Sequence, residues 1–299
     1  PSAVQAVPTP ATAAIPCSAP IMLFRDGMYA DVQLGVMAHS IDAVTDISDD
    51  VVVTKLTSGA DKDVIVLSAK SGFPLGASIV VAISGDMVGT LVFNVSHAAP
   101  AYADDLGFEG PAGEKNSCEA AQEGFAALPK GWTGFGDVGV VPAVGSLTPS
   151  DGDSLVAMTT GDGVCGSALA GTSSMLVSGP ILHEGDSATV SFDYNFQSSE
   201  FDDYCDSAYD DTLLAVLSGP KGAVAEVIDS VNIVCATGEQ GEASFPGQPD
   251  GGEDFKDTGV KQHSLSGEVG SPAVLTIVVT DVGDAILSTV VGLDKIVVE

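Results

Sequence analysis

Strict alternation of apolar and polar residues constrains this chain more than any other feature. Ala188, Val190, Phe192, Tyr194 and Phe196 alternate with Thr189, Ser191, Asp193 and Asn195, the pattern of a strand with one face in a core and the other in water. Ala273, Leu275, Ile277 and Val279 repeat it. Shorter apolar runs recur at 31–37, 51–56, 64–68, 77–84 and 88–95, separated by turn formers such as Ser48-Asp-Asp50 and Ser84-Gly-Asp86. Stretches dense in Gly, Asp and Ser at 148–153, 160–163 and 241–257 mark loops. Helical periodicity is confined to 117–128, where Cys118, Ala121 and Phe125 predict one short surface helix. The expectation is an all-β protein.

A chain of 299 residues that is 45% hydrophobic exceeds what one core usually organises, so two domains are expected. The small-residue, proline-containing stretch His97-Ala-Ala-Pro-Ala-Tyr-Ala-Asp-Asp105 reads as their connection. It divides 21–98 from 106–299. The strand spacing in 21–98 is similar to that of the immunoglobulin-like domains of bacterial surface proteins, which implies an immunoglobulin-like β-sandwich there. Residues 1–20 hold Pro8, Pro10, Pro16 and Pro20 among Ala, Thr and Val, a composition for extended backbone. A low-complexity start at Pro1 is expected of a mature form whose export signal has been removed.

The balance of 41 acidic against 10 basic side chains gives a formal charge of −31, which repels nucleic-acid phosphates and anionic lipid headgroups. No nucleic-acid or membrane-surface partner is expected. No apolar run reaches the roughly 18 residues of a membrane span. A solvated acidic surface accounts for most of these carboxylates.

The cysteines at 17, 118, 165, 205 and 235 form no CxxC and have no histidine at zinc spacing. In an exported chain they read as disulfides. Cys118 with Cys165 and Cys205 with Cys235 is the favoured pairing, other connectivities staying open. Cys17 is left over in the proline-rich tail.

The most specific stretch is Ser191-Phe-Asp-Tyr-Asn-Phe-Gln-Ser-Ser-Glu-Phe201, followed by Asp202, Asp203 and Asp206 and then Tyr209-Asp-Asp-Thr-Leu-Leu214. It resembles the strand, Ser-Glu-aromatic loop and Asn-Asp strand of secreted bacterial jelly-roll domains of the choice-of-anchor group, notably the L type. Gly107-Phe-Glu-Gly110, Gly131-Trp-Thr133, Gly136-Asp-Val138, Thr280-Asp-Val-Gly-Asp284 and Gly292-Leu-Asp-Lys-Ile-Val297 extend the resemblance over about 106–299. Asp210 stands where that pattern usually has Asn, and the cysteines are additions to it. The resemblance implies a jelly-roll β-sandwich, larger than the amino-terminal one, on an exported surface protein.

Calcium takes six to eight oxygens from carboxylates and carbonyls on loops. Glu200, Asp202, Asp203, Asp206, Asp210 and Asp211 supply carboxylates in one such loop, without a DxDxDG motif. The resemblance implies a second calcium site joining Glu109 at the opening of the jelly roll to Asp294 at its closing strand, with Asp281 and Asp284 able to join either site. The alternative for each is a carboxylate that faces water or caps a turn.

No GxSxG elbow, HExxH, P-loop or strand-linked GxGxxG occurs, and the four histidines share no motif. An enzyme is not expected. The expectation is an extracellular or cell-surface structural or adhesive component, assembling as a homo-polymer or homo-oligomer through its tail. In that arrangement Val4, Ala6 and Ile15 fill pockets along a neighbour's sheet edge and Cys17 bonds across the junction. The rival is a carbohydrate-binding module presenting Trp132, Tyr204 and Tyr209 to a glycan. A hydrolase acting through Glu200 or Asp210 is the third.

Overall fold

A computed structural model describes residues 12–14, 20–21, 41–46, 51–58, 62–69, 78–85, 89–95, 103, 106–110, 126–135, 137–150, 152–160, 173–201, 203–207, 209–238, 241–242, 255–280 and 288–299. Among the described residues the chain is β throughout apart from one short helix.

The amino-terminal strands are β1 (Thr12–Ala14), β2 (Pro20–Ile21), β3 (Ile41–Asp46), β4 (Val51–Ser58), β5 (Lys62–Ala69), β6 (Ser78–Gly85) and β7 (Gly89–Val95). Four of the expected apolar runs are strands; the fifth, 31–37, lies outside the described residues. β3, β6 and β7 are antiparallel neighbours, whereas β1 and β2 both lie parallel to β7, with Thr12 opposite Thr90 and Pro20 opposite Asn94. Within this single chain the described parts of the tail lie along the edge of β7. Val4, Ala6, Ile15 and Cys17 lie outside the described residues. β4 and β5 form a separate two-stranded hairpin.

The remaining strands are β8 (Trp132–Phe135), β9 (Asp137–Val141), β10 (Leu155–Thr159), β11 (Ser173–Ser178), β12 (Ser187–Ser198), β13 (Thr212–Gly219) and β14 (Gly222–Ser230). Helix α1 (Val231–Thr237) precedes β15 (Gly241–Glu242), β16 (Lys256–Asp257), β17 (Lys261–Glu268), β18 (Val274–Thr280) and β19 (Thr289–Val298). They build two sheets. One runs β15-β16-β12-β19-β10-β9, with β17 continuing the line of β16 along β12; the other runs β14-β13-β18-β11-β8. Phe192, Phe196, Leu213, Leu217, Leu275 and Ile277 are among the buried side chains that fill the space between them. That apolar burial is the main stabilising term of the sandwich.

The alternation read in β12 is realised: Val190, Phe192, Tyr194 and Phe196 belong to the inner core. β18 departs from its reading. Leu275, Ile277 and Val279 face inward as expected, but Val274, Thr276 and Val278 on the opposite face are buried too. Of the helix expected over 117–128, residues 117–125 lie outside the described residues and only the end is corrected. Its described end is extended, because Ala126 bridges Val140 with reciprocal 2.9 Å backbone hydrogen bonds. The described helix falls at 231–237, where no helix was expected. There Ser230 Oγ accepts from the Ile233 amide at one end, and Gly238 in the left-handed region closes the other.

Candidate functional site

The loop between β12 and β13 is held to α1 by the Cys205–Cys235 disulfide, with Cα atoms 5.7 Å apart. Cys118 and Cys165 lie outside the described residues. Hydrogen bonds reinforce the staple: Asp210 Oδ1 accepts from the Asn232 amide at 2.8 Å, and Asn232 Nδ2 donates to the Ser207 carbonyl at 3.0 Å. Asp210 thus serves one amide of the first helical turn, where a carboxylate also meets the positive end of the helix dipole. Ser207 Oγ accepts from the Tyr209 amide at 3.0 Å, and Asp206 takes a left-handed φ of 59°.

The carboxylates grouped by the sequence part company here. Glu200 and Asp211, at the two ends of the loop, are 1% and 0% exposed. Asp203 and Asp206 are exposed, and Asp202 lies outside the described residues. Among the described residues, no three His, Cys, Asp or Glu side chains gather as a metal-holding group. Asn232 Oδ1 is buried without a hydrogen-bond partner. The half-buried rings of Tyr204 and Tyr209 stand edge to face, 5.4 Å apart at 82°.

Glu109 and Asp294 grip one loop. Asp294, on β19 and 0% exposed, accepts both the Ser150 amide (2.7 Å) and the Ser150 hydroxyl (2.9 Å) on Oδ2, leaving Oδ1 buried without a hydrogen-bond partner. Glu109 Oε1 accepts from the Ser154 amide at 2.8 Å. Gly152 between them has a φ of +74°, and a Cβ there would overlap the Glu109 carboxylate. Asp281 and Asp284 lie outside the described residues.

A polar cluster that sequence reasoning missed sits on the outward face of β12. Asn195 Nδ2 reaches Ser146 Oγ, Asp257 Oδ2 and the Gly259 carbonyl, each at 3.1 Å. Gln197 Nε2 donates to Asn195 Oδ1 at 2.8 Å, and Ser146 donates both its amide and its hydroxyl to Asp257 Oδ2. Asn195 and Gln197 occupy the polar positions of the alternation, which ordinarily face water. Here the 142–148 turn covers them, its Val144 and Leu147 packing with Leu155, Phe255 and Val290 in a second small core.

Across the open side of the sandwich, Asp229 on β14 accepts from Tyr194 Oη at 2.9 Å and lies 3.1 Å from Lys261 Nζ on β17. Burial pushes the Asp229 carboxyl above the usual carboxylate range, and the nearby ammonium and phenol oppose that only in part. Trp132 is buried, its ring 4.9 Å from Phe108. A core tryptophan is no platform for a glycan, which corrects the expectation for that residue. No described helix is long and apolar enough to cross a membrane.

No family model and no curated protein matches the chain. Among solved structures it is similar to the K2 cleaved adhesin domain of Lys-gingipain, at 14% identity and a TM-score of 0.34, over 64% of this chain and 93% of that one. The K1 cleaved adhesin domain from Porphyromonas gingivalis W83 follows at 14% identity and 0.33, over 57% and 91%. The secreted serine protease VesC from Vibrio cholerae gives 12% identity and 0.26, over 94% and 49%.

Proposed function

We propose that this chain is an extracellular structural or adhesive protein. The observation that carries the reading is the disulfide between Cys205 and Cys235, which pins an acidic, tyrosine-bearing loop to a helix. Disulfides form and persist in oxidising compartments outside the cytosol. The pinned loop keeps Asp203 and Asp206 exposed beside the Tyr204–Tyr209 pair, a rigid and chemically mixed surface. Rigidity lowers the ordering cost of binding.

The finer reading is an amino-terminal immunoglobulin-like sandwich followed by a jelly roll of the choice-of-anchor L type, stabilised by calcium. Two carboxylates at one loop, Asp294 and Glu109, support that part of the reading. One buried carboxylate oxygen makes no hydrogen bond and a second carboxylate grips the same loop; backbone carbonyls and water would have to supply the rest of the six to eight oxygens calcium takes. Asp294 and Glu109 would hold the ion, whose charge would neutralise theirs. Glu200 and Asp211, buried at the two ends of the β12–β13 loop, are the second candidates. Self-assembly belongs to the same reading, with β1 and β2 pairing in trans in place of their pairing in cis.

Electron microscopy of the native material, paired with a surface-attachment assay, tests the proposal. Filaments or a bound layer are expected, and a dispersed monomer that attaches to nothing would refute it. A carbohydrate-binding role is favoured by one feature, the half-buried tyrosine pair; glycan-array binding lost in Tyr204→Ala would support that alternative.

A further inference from the structure

A sheet packed on one side only leaves its other face in water, and the β14-β13-β18-β11-β8 sheet does not: its second face, apolar at the centre with Thr212, Ser218 and Thr276 around it, is buried as well. Its inner face carries Leu213, Ala215, Leu217, Leu275 and Ile277. On the opposite face Leu214 stands across from Val278 and Val216 across from Thr276, with Val177 beside Thr276 on β11. All five side chains are buried. Ala225 and Val227 of the edge strand β14 extend the patch as partly buried neighbours of Leu214 and Val216. An apolar face of this extent is covered in a stable protein, since leaving it in water forfeits its burial energy and invites aggregation.

The covering element is written in the same chain. β4 runs alongside β14. The β4–β5 hairpin is paired to no other sheet among the described residues, and a two-stranded ribbon is marginally stable alone. Its sequence, Val51-Val-Val-Thr-Lys-Leu56 and Val64-Ile-Val-Leu67, is apolar on both faces apart from Thr54 and Lys55. That is the composition of a ribbon buried on both faces, and it differs from the alternation of β12, which has one polar face. Hairpin and sheet each lack what the other has.

We infer that the outer face of the β11, β13, β14 and β18 strands is the seat of the β4–β5 hairpin. The amino-terminal strands and the carboxy-terminal sandwich then move as one three-layered body, with the hairpin as the shared middle element. A second copy of the chain on the same face is the competing occupant.

Hydrogen exchange on the full chain, with mass in solution measured in parallel, separates the two. Ala225→Lys places a charge at the rim of the patch on an edge strand, where the main core is untouched. The expected result is amide exchange about tenfold faster or more across 51–58 and 62–69, with β12, β19 and the mass unchanged. Unchanged hairpin exchange overturns the inference, whether the mass stays the same or falls to that of a smaller assembly. Leu214→Asp at the centre of the patch should give a larger version of the same result. If that variant also loses protection in β12 and β19 through misfolding, the rim variant alone decides.

Discussion

Lys261 Nζ lies 3.1 Å from Asp229 Oδ2, tying the edge strand of one sheet to the edge strand of the other. Because burial raises the Asp229 carboxyl, the folded state binds its proton more readily than the unfolded chain does. Its favourable contribution is complete below the ordinary value of 3.8 and is lost as pH rises through the higher folded value. Lys261→Met removes the counter-charge. It should cost roughly 1–3 kcal/mol near neutral pH, part of the ammonium being solvent-exposed. The deficit should shrink as pH falls toward the carboxylate range, and urea melts across pH check this.

Calcium should raise the melting temperature of the sandwich, and chelator should lower it. With free ion at about 100 times its dissociation constant the gain is about 2.7 kcal/mol. Asp294→Asn keeps one acceptor for Ser150 but weakens the oxygen set, so the calcium response should vanish. A wild-type melting temperature indifferent to both ion and chelator at low salt would remove the ion from the account.

Opening the staple should be expensive. Cys205 and Cys235 are separated by 30 residues, a loop whose closure is worth roughly 3–4 kcal/mol in the chain-entropy model. The double serine variant should lose about that much in denaturant melts. Intact mass after alkylation without reductant should show neither thiol labelled in the wild-type protein.

Gly145 and Gly259 offer a matched comparison at the polar cluster. Both adopt positive φ, +53° and +69°, but a Cβ on Gly145 would run into Gln197 and Asp257 while one on Gly259 meets nothing within 4 Å. Gly259→Ala should cost about 1 kcal/mol, the left-handed strain alone. Gly145→Ala should cost about 3 kcal/mol or more, because the turn must lift off the cluster. Calorimetry on the pair checks the difference.

What was legible in advance was local. The period-two run around Phe192 announced β12 and its inward face, and the Cys205–Cys235 pairing is the bond that forms. Residues whose surroundings arrive from far along the chain were misread. Asn195 and Gln197 look solvent-facing until the 142–148 turn closes over them. Val274 and Val278 sit where alternation predicts exposure, and their face is covered as well. Trp132 carries no sign of the Phe108 ring that claims it. The helix at 231–237 is too short for periodicity to announce, and its caps, Ser230 and Gly238, are ordinary turn residues in a strand-rich chain.

β19 lies between β12 and β10, at the middle of its sheet. A chain emerging in order from a ribosome or a translocation pore therefore makes β9, β10 and β12 long before the strand that joins them. Until Thr289–Val298 arrives, β10 and β12 have no common neighbour, and the faces of Val156, Met158 and Phe196 have no complete sheet to belong to. Assembly of this sheet is postponed until β19, the latest in sequence of its described strands, has been made.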